Sequence, residues 1–511
     1  MVPATTSAGA LIARAGGAYR TRDGVALSRE VARGGAGLGD PGRGDDGELR
    51  TNSDVEQLDG FAAVRLESAS GRHVGLTASG YRAQRGVPPE LHLAEPRLWR
   101  YPDASRLLTV LSAGSGNVAT PLGRARFDAS AGLNAGRQEI ESFETRDYAQ
   151  VVGREMGRER TGTARLAGAL ALPRGGELRA AATGASVRYD EELDDEAASR
   201  YVQRLTSVGA EVALPAVART TLSGGLVYDR ATTPETGGRP ALGALDAWGW
   251  RAGATTLALS SLVSVHGAVS RRARFPALRE LYSGALDRYE PNPGLRSERL
   301  LGAEAGATVI GGASARAGVE LQAVAFHHRL HDAVVRVTTA EGRFRRENRD
   351  EQRTTGLEFL AGWSADRAGG PAGLSLNGDL TLQRVRIHDR LTAGGATSRA
   401  TSRRPEHQPE QRGSVVVSVP LRHELRGVAS ARYVGRQFCL NPDAGAAVRL
   451  RGRGAGDAAL TRAFTIASAR RALLSVLHAT VAIDNLTGAA VYDQCGLPQP
   501  GRTFRFGVEL R

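Results

Sequence analysis

The 511-residue chain contains no lysine, so all 67 of its basic side chains are arginine. This absence excludes the lysine that reaches nucleotide phosphates in a P-loop, and every Schiff-base or lysine general-base mechanism. Only two cysteines are present, and they are too far apart in sequence to form a Cys-x-x-Cys zinc or redox motif. His-Glu-x-x-His and Gly-x-Ser-x-Gly are missing as well, which leaves metalloprotease and serine-hydrolase chemistry without a foothold. No enzyme, no cofactor and no metal site is expected. Long apolar runs are also lacking: no window approaches the ~20 consecutive apolar residues that a membrane-crossing helix requires. A chain of this kind can cross a membrane only with strands, in which every second residue needs to be apolar.

Two further absences bear on partners and processing. The net charge of +13 comes from arginines dispersed along the chain, with no basic stripe, so no nucleic-acid partner is expected. Met1 to Gly17 holds no basic segment followed by a continuous apolar one, and no export signal is expected there.

What the chain does have is glycine, 64 residues of it, and period-2 alternation of apolar and polar residues in segments of about ten. Short and long connections alternate between these segments. The short ones fall at Ser68 to Gly71, Pro173 to Gly176, Pro215 to Ala218, Gly311 to Ser314 and Arg422 to Glu424. The long polar ones fall at Ala83 to Asp103, Asp190 to Ser199, Ala231 to Asp246, Arg274 to Ser297 and Ile387 to Glu410. Short turns on one side and long loops on the other are the topology of an outer-membrane barrel. The expected fold class is therefore all-β: a transmembrane, antiparallel, up-and-down β-barrel of residues 1–511. About 21 strands are expected here, the first near Leu11 to Arg20 and running toward the short-turn side, with about 22 in an intact parent. Within one strand, Thr206, Val208, Ala210, Val212 and Leu214 are expected to face lipid, and Leu205, Ser207, Gly209 and Glu211 the lumen.

Several stretches resemble TonB-dependent outer-membrane receptors, especially those importing iron-siderophore complexes or cobalamin. They are Arg274-Phe-Pro-Ala-Leu-Arg-Glu-Leu-Tyr-Ser-Gly284, Tyr289-Glu-Pro-Asn-Pro-Gly-Leu-Arg-Ser-Glu-Arg299, Asn348-Arg-Asp with Gly356-Leu-Glu-Phe359, Ile483-Asp-Asn-Leu-Thr487, Pro500-Gly-Arg-Thr-Phe504 and Trp99-Arg-Tyr-Pro-Asp103. The resemblance implies import of a bulky, scarce nutrient, a ferric siderophore or related metal chelate, energised by a TonB-type partner. A passive, porin-like channel is the alternative. The implied setting is the lipid of a Gram-negative-type outer membrane, and a monomer is expected. Members of the family also carry an N-terminal plug inside the barrel and end on an aromatic residue. The sequence given is expected to be an N-terminally truncated barrel without plug or signal, and either the terminal aromatic is lost or Leu510 substitutes for it.

Candidate ligand contacts are Arg279, Tyr282 and Tyr289 in the loop after Arg274, whose guanidinium and aromatic groups suit anionic chelates, together with Trp99 and Tyr101. The bland reading of that loop is a brace for the rim, and that of Trp99 and Tyr101 an interfacial aromatic belt. His327, His328 and His331 invite a metal-site reading, but His327 and His328 point to opposite faces of a strand, which leaves at most a pair within reach of one ion. The acidic run from Asp190 to Glu196 lacks the spacing of a calcium loop and reads as a solvated loop. Arg65, Arg124, Arg126, Arg165, Arg384 and Arg386 could line a positive lumen. Cys439 and Cys495 are expected to form a disulfide, because counting strand directions back from Arg511 puts both on the long-loop side.

Overall fold

The computed structural model describes residues 2–6, 9–32, 49–194, 196–217, 219–258, 262–284, 286, 288–314, 317–339, 341–365, 373–388, 404–441, 446–465 and 476–510. Among these residues, no helix is long and apolar enough to cross a membrane. One sheet of 23 strands dominates. Two of its strands are short local additions, Val118–Thr120 and Tyr289–Glu290, the second pairing in parallel with the strand Phe344–Ala365. The other 21 follow chain order, each antiparallel to the next, from Val2–Thr6 to Thr503–Leu510. No pairing joins those two terminal strands among the described residues. Their connecting segments nevertheless meet at one rim. Arg453 forms an ion pair with Glu30, Gly501 N–H donates to Ala26 O at 2.7 Å, and an Arg50 Nη2 donates to Gly496 O at 3.1 Å. The sheet is therefore curled far enough to bring its two ends together.

Direction of curl follows from which side chains meet. Gln138 and Glu155 stand on neighbouring strands and Arg336 on a strand far from both in the sheet, yet all three line one cavity. Each shares a face with polar residues and opposes the face carrying Leu133, Leu166 and Leu321, which are 52%, 65% and 47% exposed. The polar face is thus concave and the apolar face convex. The last strand shows this most simply, with Phe504, Phe506 and Val508 on the convex side and Arg505 and Glu509 on the concave side. The expected alternation of Thr206, Val208, Ala210 and Leu214 against Leu205, Ser207, Gly209 and Glu211 is present in the strand Ser199–Pro215.

Four expectations need correction. The first long strand is Gly9–Arg22 and runs toward the long connections, opposite to the expected direction, because 20 antiparallel strands, itself included, lead from it to the last strand where about 21 were expected; Val2–Thr6 precedes it as a further antiparallel strand. Strands are longer than about ten residues: Val151–Ala171 has 21 and Phe344–Ala365 has 22. Expected long loops shrink accordingly, Ala83 to Asp103 becoming 88–98 and Asp190 to Ser199 becoming 194–198. Alternation reports an apolar face, and where a strand rises past the apolar band both faces turn polar while the hydrogen-bond ladder continues. The tight connection placed at Gly311 to Ser314 is strand through Ser314, and residues 315–316 lie outside the described residues. Arg384 and Arg386 are not in the lumen, since they share the convex face with Leu380 and Leu382 on the strand Leu374–His388. Most of the connection from Ile387 to Glu410 lies outside the described residues.

Buried clusters are concentrated at the long-connection rim. One joins Tyr189, Tyr201, Leu278, Leu281, Tyr282 and Leu295; the other joins Val31, Cys439, Leu450, Ala490, Tyr492 and Cys495. A curved single-layer sheet has no second layer to pack against, so protein-on-protein apolar burial arises where loops fold over the mouth. At roughly 1.5–3 kcal/mol per fully buried large apolar side chain, these two clusters fix the loops.

Candidate ligand-binding mouth

The loop 275–297 begins with a single helical turn, Leu278–Leu281. Glu280 Oε2 accepts from Ala277 N–H at 2.9 Å and from Arg274 Nη1 at 2.9 Å, tying the turn to the end of the preceding strand. Leu278 and Leu281 then face inward with Tyr282. Tyr282 is fully buried, its ring stacked on Tyr201 at 5.5 Å with 4° between planes, and Leu242 N–H donates to its hydroxyl at 3.4 Å. Ser283 donates to buried Glu191 at 2.5 Å. Tyr282 is therefore a brace and is shut off from any ligand, the bland reading of this part of the loop.

Arg279 projects from the same turn into the mouth. Its Nη2 donates to Glu155 Oε1 at 3.0 Å, and its guanidinium lies 5.2 Å from the Tyr189 ring centroid. Burial works against the charge on Arg279, but Tyr189, Glu155 and Glu191 more than offset it and hold the guanidinium above its ordinary value. With it, Tyr289, Trp99 and Tyr101 line a cavity of about 250 Å³ beneath the loops. Four of the five candidate contacts thus converge, drawn from a strand and a loop 180 residues apart. Trp99 and Tyr101 begin the strand Trp99–Ser115 and face this cavity; they are not belt residues. Belt positions on the convex face are held by Tyr228, Trp248 and Trp250 instead.

Sequence reading missed Arg97, Arg288, Arg336, Phe344 and His407, which complete the wall. Aromatic rings carry the cations: Arg97 and Arg288 lie 5.4 and 5.6 Å from the Trp99 ring centroid, and Arg336 lies 4.5 Å from that of Phe344. Three arginines of the wall have acid partners, Arg97 with Glu90, Arg279 with Glu155 and Arg336 with Glu406 at 3.2 Å. Arg288 forms no ion pair among the described residues. Burial lowers its pKa from the ordinary arginine value, Arg97 and Arg336 push the same way, and Glu90 opposes them. The cavity therefore holds a cation whose charge the wall does not balance, an arrangement that attracts an anion. Burial also lowers the His407 pKa, against the pull of Glu406, so this ring adds no charge near neutral pH.

The remaining candidates fall elsewhere. His327 and His328 do face opposite ways, His327 bonding to Thr355 Oγ1 at 2.7 Å, and no group of three metal-ligating side chains occurs among the described residues. The acidic run is strand as far as Leu193: Asp190 bridges Arg188 and Arg200 on the convex face, and Glu191 is buried on the concave face. Asp195 lies outside the described residues. Cys439 sits in a separate hairpin, Gln437–Asn441 with Ala446–Leu450, beyond the end of the strand Leu425–Val434. In the structure it is disulfide-bonded to Cys495, with Cα atoms 5.9 Å apart. Gly496 follows with φ +64°, and a Cβ there would clash with His92 Nδ1, so glycine is what lets this loop close on the mouth.

A family model described as TonB dependent receptor-like, beta-barrel matches residues 14–486. The chain belongs to this family. Solved structures share the fold of this TonB-dependent receptor barrel at low identity. The copper transporter OprC matches with a TM-score of 0.72 and 15% identity over 99% of this chain and 78% of its own. The FrpB iron transporter from Neisseria meningitidis, F5-1 variant, matches at 0.70 and 15% over 98% and 76%. The ferric-catecholate import receptor Fiu from K12 E. coli matches at 0.68 and 13% over 99% and 78%. No curated protein matches the chain by sequence. In a barrel of this family the convex apolar face is the one that meets outer-membrane lipid, and the long connections lie on the outside.

Proposed function

We propose that this TonB-dependent receptor barrel serves import of an anionic metal chelate, and that the arginine-aromatic cavity under its outer loops is the first recognition site. The observation that carries the reading is Arg288, a half-buried cation without an ion-pair partner among the described residues, which shares the cavity with Arg97 and Arg336 and lies against Trp99. At about 250 Å³ the cavity falls below the ~300–1,000 Å³ of a full small-molecule pocket. It accepts one chelating arm, a catecholate or carboxylate group, while the rest of the chelate rests against the loops. Arginine suits this role because its planar fork binds oxyanion pairs and stacks on aromatic rings. TonB-type energy coupling and a siderophore cargo are part of the proposal and rest on the family and on this charge pattern.

Titration of the detergent-solubilised protein tests it, with Trp99 fluorescence as the signal. A trianionic ferric tris-catecholate should bind, with affinity falling as salt rises, and an uncharged ferric trihydroxamate should bind far more weakly. A charged hydrogen bond is worth roughly 1.5–3 kcal/mol, so Arg288→Gln should weaken the anionic chelate by about ten- to a hundredfold. Equal affinity for charged and neutral chelates, or an unaffected Arg288→Gln variant, would sink the reading.

A further inference from the structure

Along the convex face, arginines just above the apolar band are in most places interleaved with acids. Asp103 takes Arg82 at 3.0 Å and Arg137 at 3.6 Å, Asp190 takes Arg188 at 2.9 Å and Arg200 at 2.8 Å, and Glu192 and Asp246 meet Arg158 and Arg230 at 3.7 and 3.8 Å. One sector departs from this rule. On the adjacent strands Ala317–Thr338, Phe344–Ala365 and Leu374–His388, Arg329 stands opposite Arg353 and Arg353 opposite Arg386. One rung nearer the apolar band, His327 stands opposite Thr355 and Thr355 opposite Arg384. Neighbouring strands are ~4.8 Å apart, so four arginines crowd a patch about 10 Å wide, and like charges placed directly opposite one another destabilise a sheet. Two carboxylates lie near this patch: Glu351, which pairs with Arg353 and lies 3.7 Å from His331, and Glu410, which lines the same groove as Arg384 and Arg386 and pairs with Arg436 at 2.8 Å. Arg329, Arg384 and Arg386 form no ion pair among the described residues. Arg329 Nε instead donates to His327 Nε2 at 3.2 Å, and Arg386 Nη1 to Val385 O at 2.9 Å.

Depth decides what such a patch can meet. At ~3.4 Å per residue and a tilt of about 40°, the convex residues from Leu374 to Leu382 rise about 21 Å, nearly the ~25 Å of an outer-membrane apolar band. Arg384 and Arg386 therefore emerge where acyl chains end and headgroups begin, on the long-connection side. Immediately below them, the same face carries Ala303, Ala305, Ala325, Leu357 and Leu382, part of the lining of a groove of about 1370 Å³. Small side chains between bulkier ones leave room for an acyl chain lying along the wall, with its headgroup at the arginines.

We propose that Arg329, Arg353, Arg384 and Arg386 form a docking site for the phosphorylated headgroup of an outer-leaflet lipid, whose acyl chains lie in the groove below. The uncompensated positive charge matches a phosphate, the guanidinium fork matches phosphate geometry, and the apolar groove requires that the phosphate belong to an amphiphile. The lipid would also relieve the repulsion across the three strands.

Native mass spectrometry of the full chain in detergent, titrated with lipid A and with dephosphorylated lipid A, is the test. Lipid A should be retained at low stoichiometry and the dephosphorylated form lost. Each arginine near an anionic lipid surface is worth about fivefold in affinity, so Arg384→Gln with Arg386→Gln should weaken retention about 25-fold. The acid-paired control Arg188→Gln with Arg200→Gln should leave it unchanged. Equal retention of both lipids by the unmodified protein would overturn the proposal without any variant having to fold. Displacement of lipid A by millimolar inorganic phosphate would overturn it too, by marking a free-anion site.

Discussion

Replacing Tyr282 with alanine separates the two roles that its loop can play. The ring is completely buried, stacked on Tyr201, and its hydroxyl accepts from Leu242 N–H. Truncating a buried aromatic costs about 3–5 kcal/mol, and orphaning the amide adds about 1 kcal/mol. This loss is confined to the rim cluster, because the membrane-spanning ladder does not depend on it, so it should appear as local opening of residues 275–297. Every 1.4 kcal/mol is a factor of ten, and about 4 kcal/mol raises the open population roughly a thousandfold. Hydrogen exchange of the detergent-solubilised variant should show backbone protection lost in this loop and in the strands around Tyr189 and Tyr201, and retained in the strands remote from them. Chelate binding should weaken only as Arg279 and Tyr289 lose their footing. If protection of the loop is unchanged while chelate affinity collapses, Tyr282 touches ligand and its assignment as a brace is wrong.

Free-thiol labelling of unreduced, denatured protein should find neither Cys439 nor Cys495 reactive; two labelled thiols per chain would end the disulfide assignment. With a sequence separation of 56, the bridge restrains the unfolded chain by about 4 kcal/mol, so reduction should release the hairpin at Gln437–Asn441 first. Tyr492, beneath that bridge, has its hydroxyl pKa pushed up to about 12 by burial, with Glu30 adding and Arg50 and Arg453 opposing. Its contribution to stability is present below pH 10 and is lost as pH rises toward 12. Comparing phenolate absorbance of the parent and Tyr492→Phe should therefore show one transition near that value removed. Val415 and Val416 are neighbours on opposite faces. Val415→Arg should cost about 2–4 kcal/mol in a lipid bilayer and Val416→Arg close to nothing, read as the folded fraction by heat-modifiable gel mobility.

The architecture was largely legible because one physical signal, alternation at period 2, runs through Thr206 to Leu214 and Phe504 to Leu510 and is interrupted by turns such as Ser68 to Gly71. Strand ends were not legible. Above the apolar band, residues such as Arg82, Arg158 and Asp190 continue the ladder with both faces polar, and nothing in their order separates strand from loop. The same loss of contrast hid the orientation of Arg384 and Arg386, which only an unbroken register with Leu380 and Leu382 places on the convex face. At the mouth, Trp99, Tyr101, Arg279 and Tyr289 stood out by residue type and do converge. Arg97, Arg288 and Arg336 looked like any of the other arginines, since their distinction lies in what surrounds them: one half-buried space shared by loops distant in sequence. Tyr282 could not be told from Tyr289 by composition, although one is core and the other wall.

The most direct test of the central claim is to locate the metal. Crystals of the protein soaked with a ferric tris-catecholate should show an anomalous iron peak at the mouth, with a catecholate oxygen in hydrogen-bonding reach of the Arg288 or Arg336 guanidinium and a ring against Trp99. Iron bound elsewhere on the outer loops with the cavity unchanged, or no iron at all under saturating chelate, would contradict it.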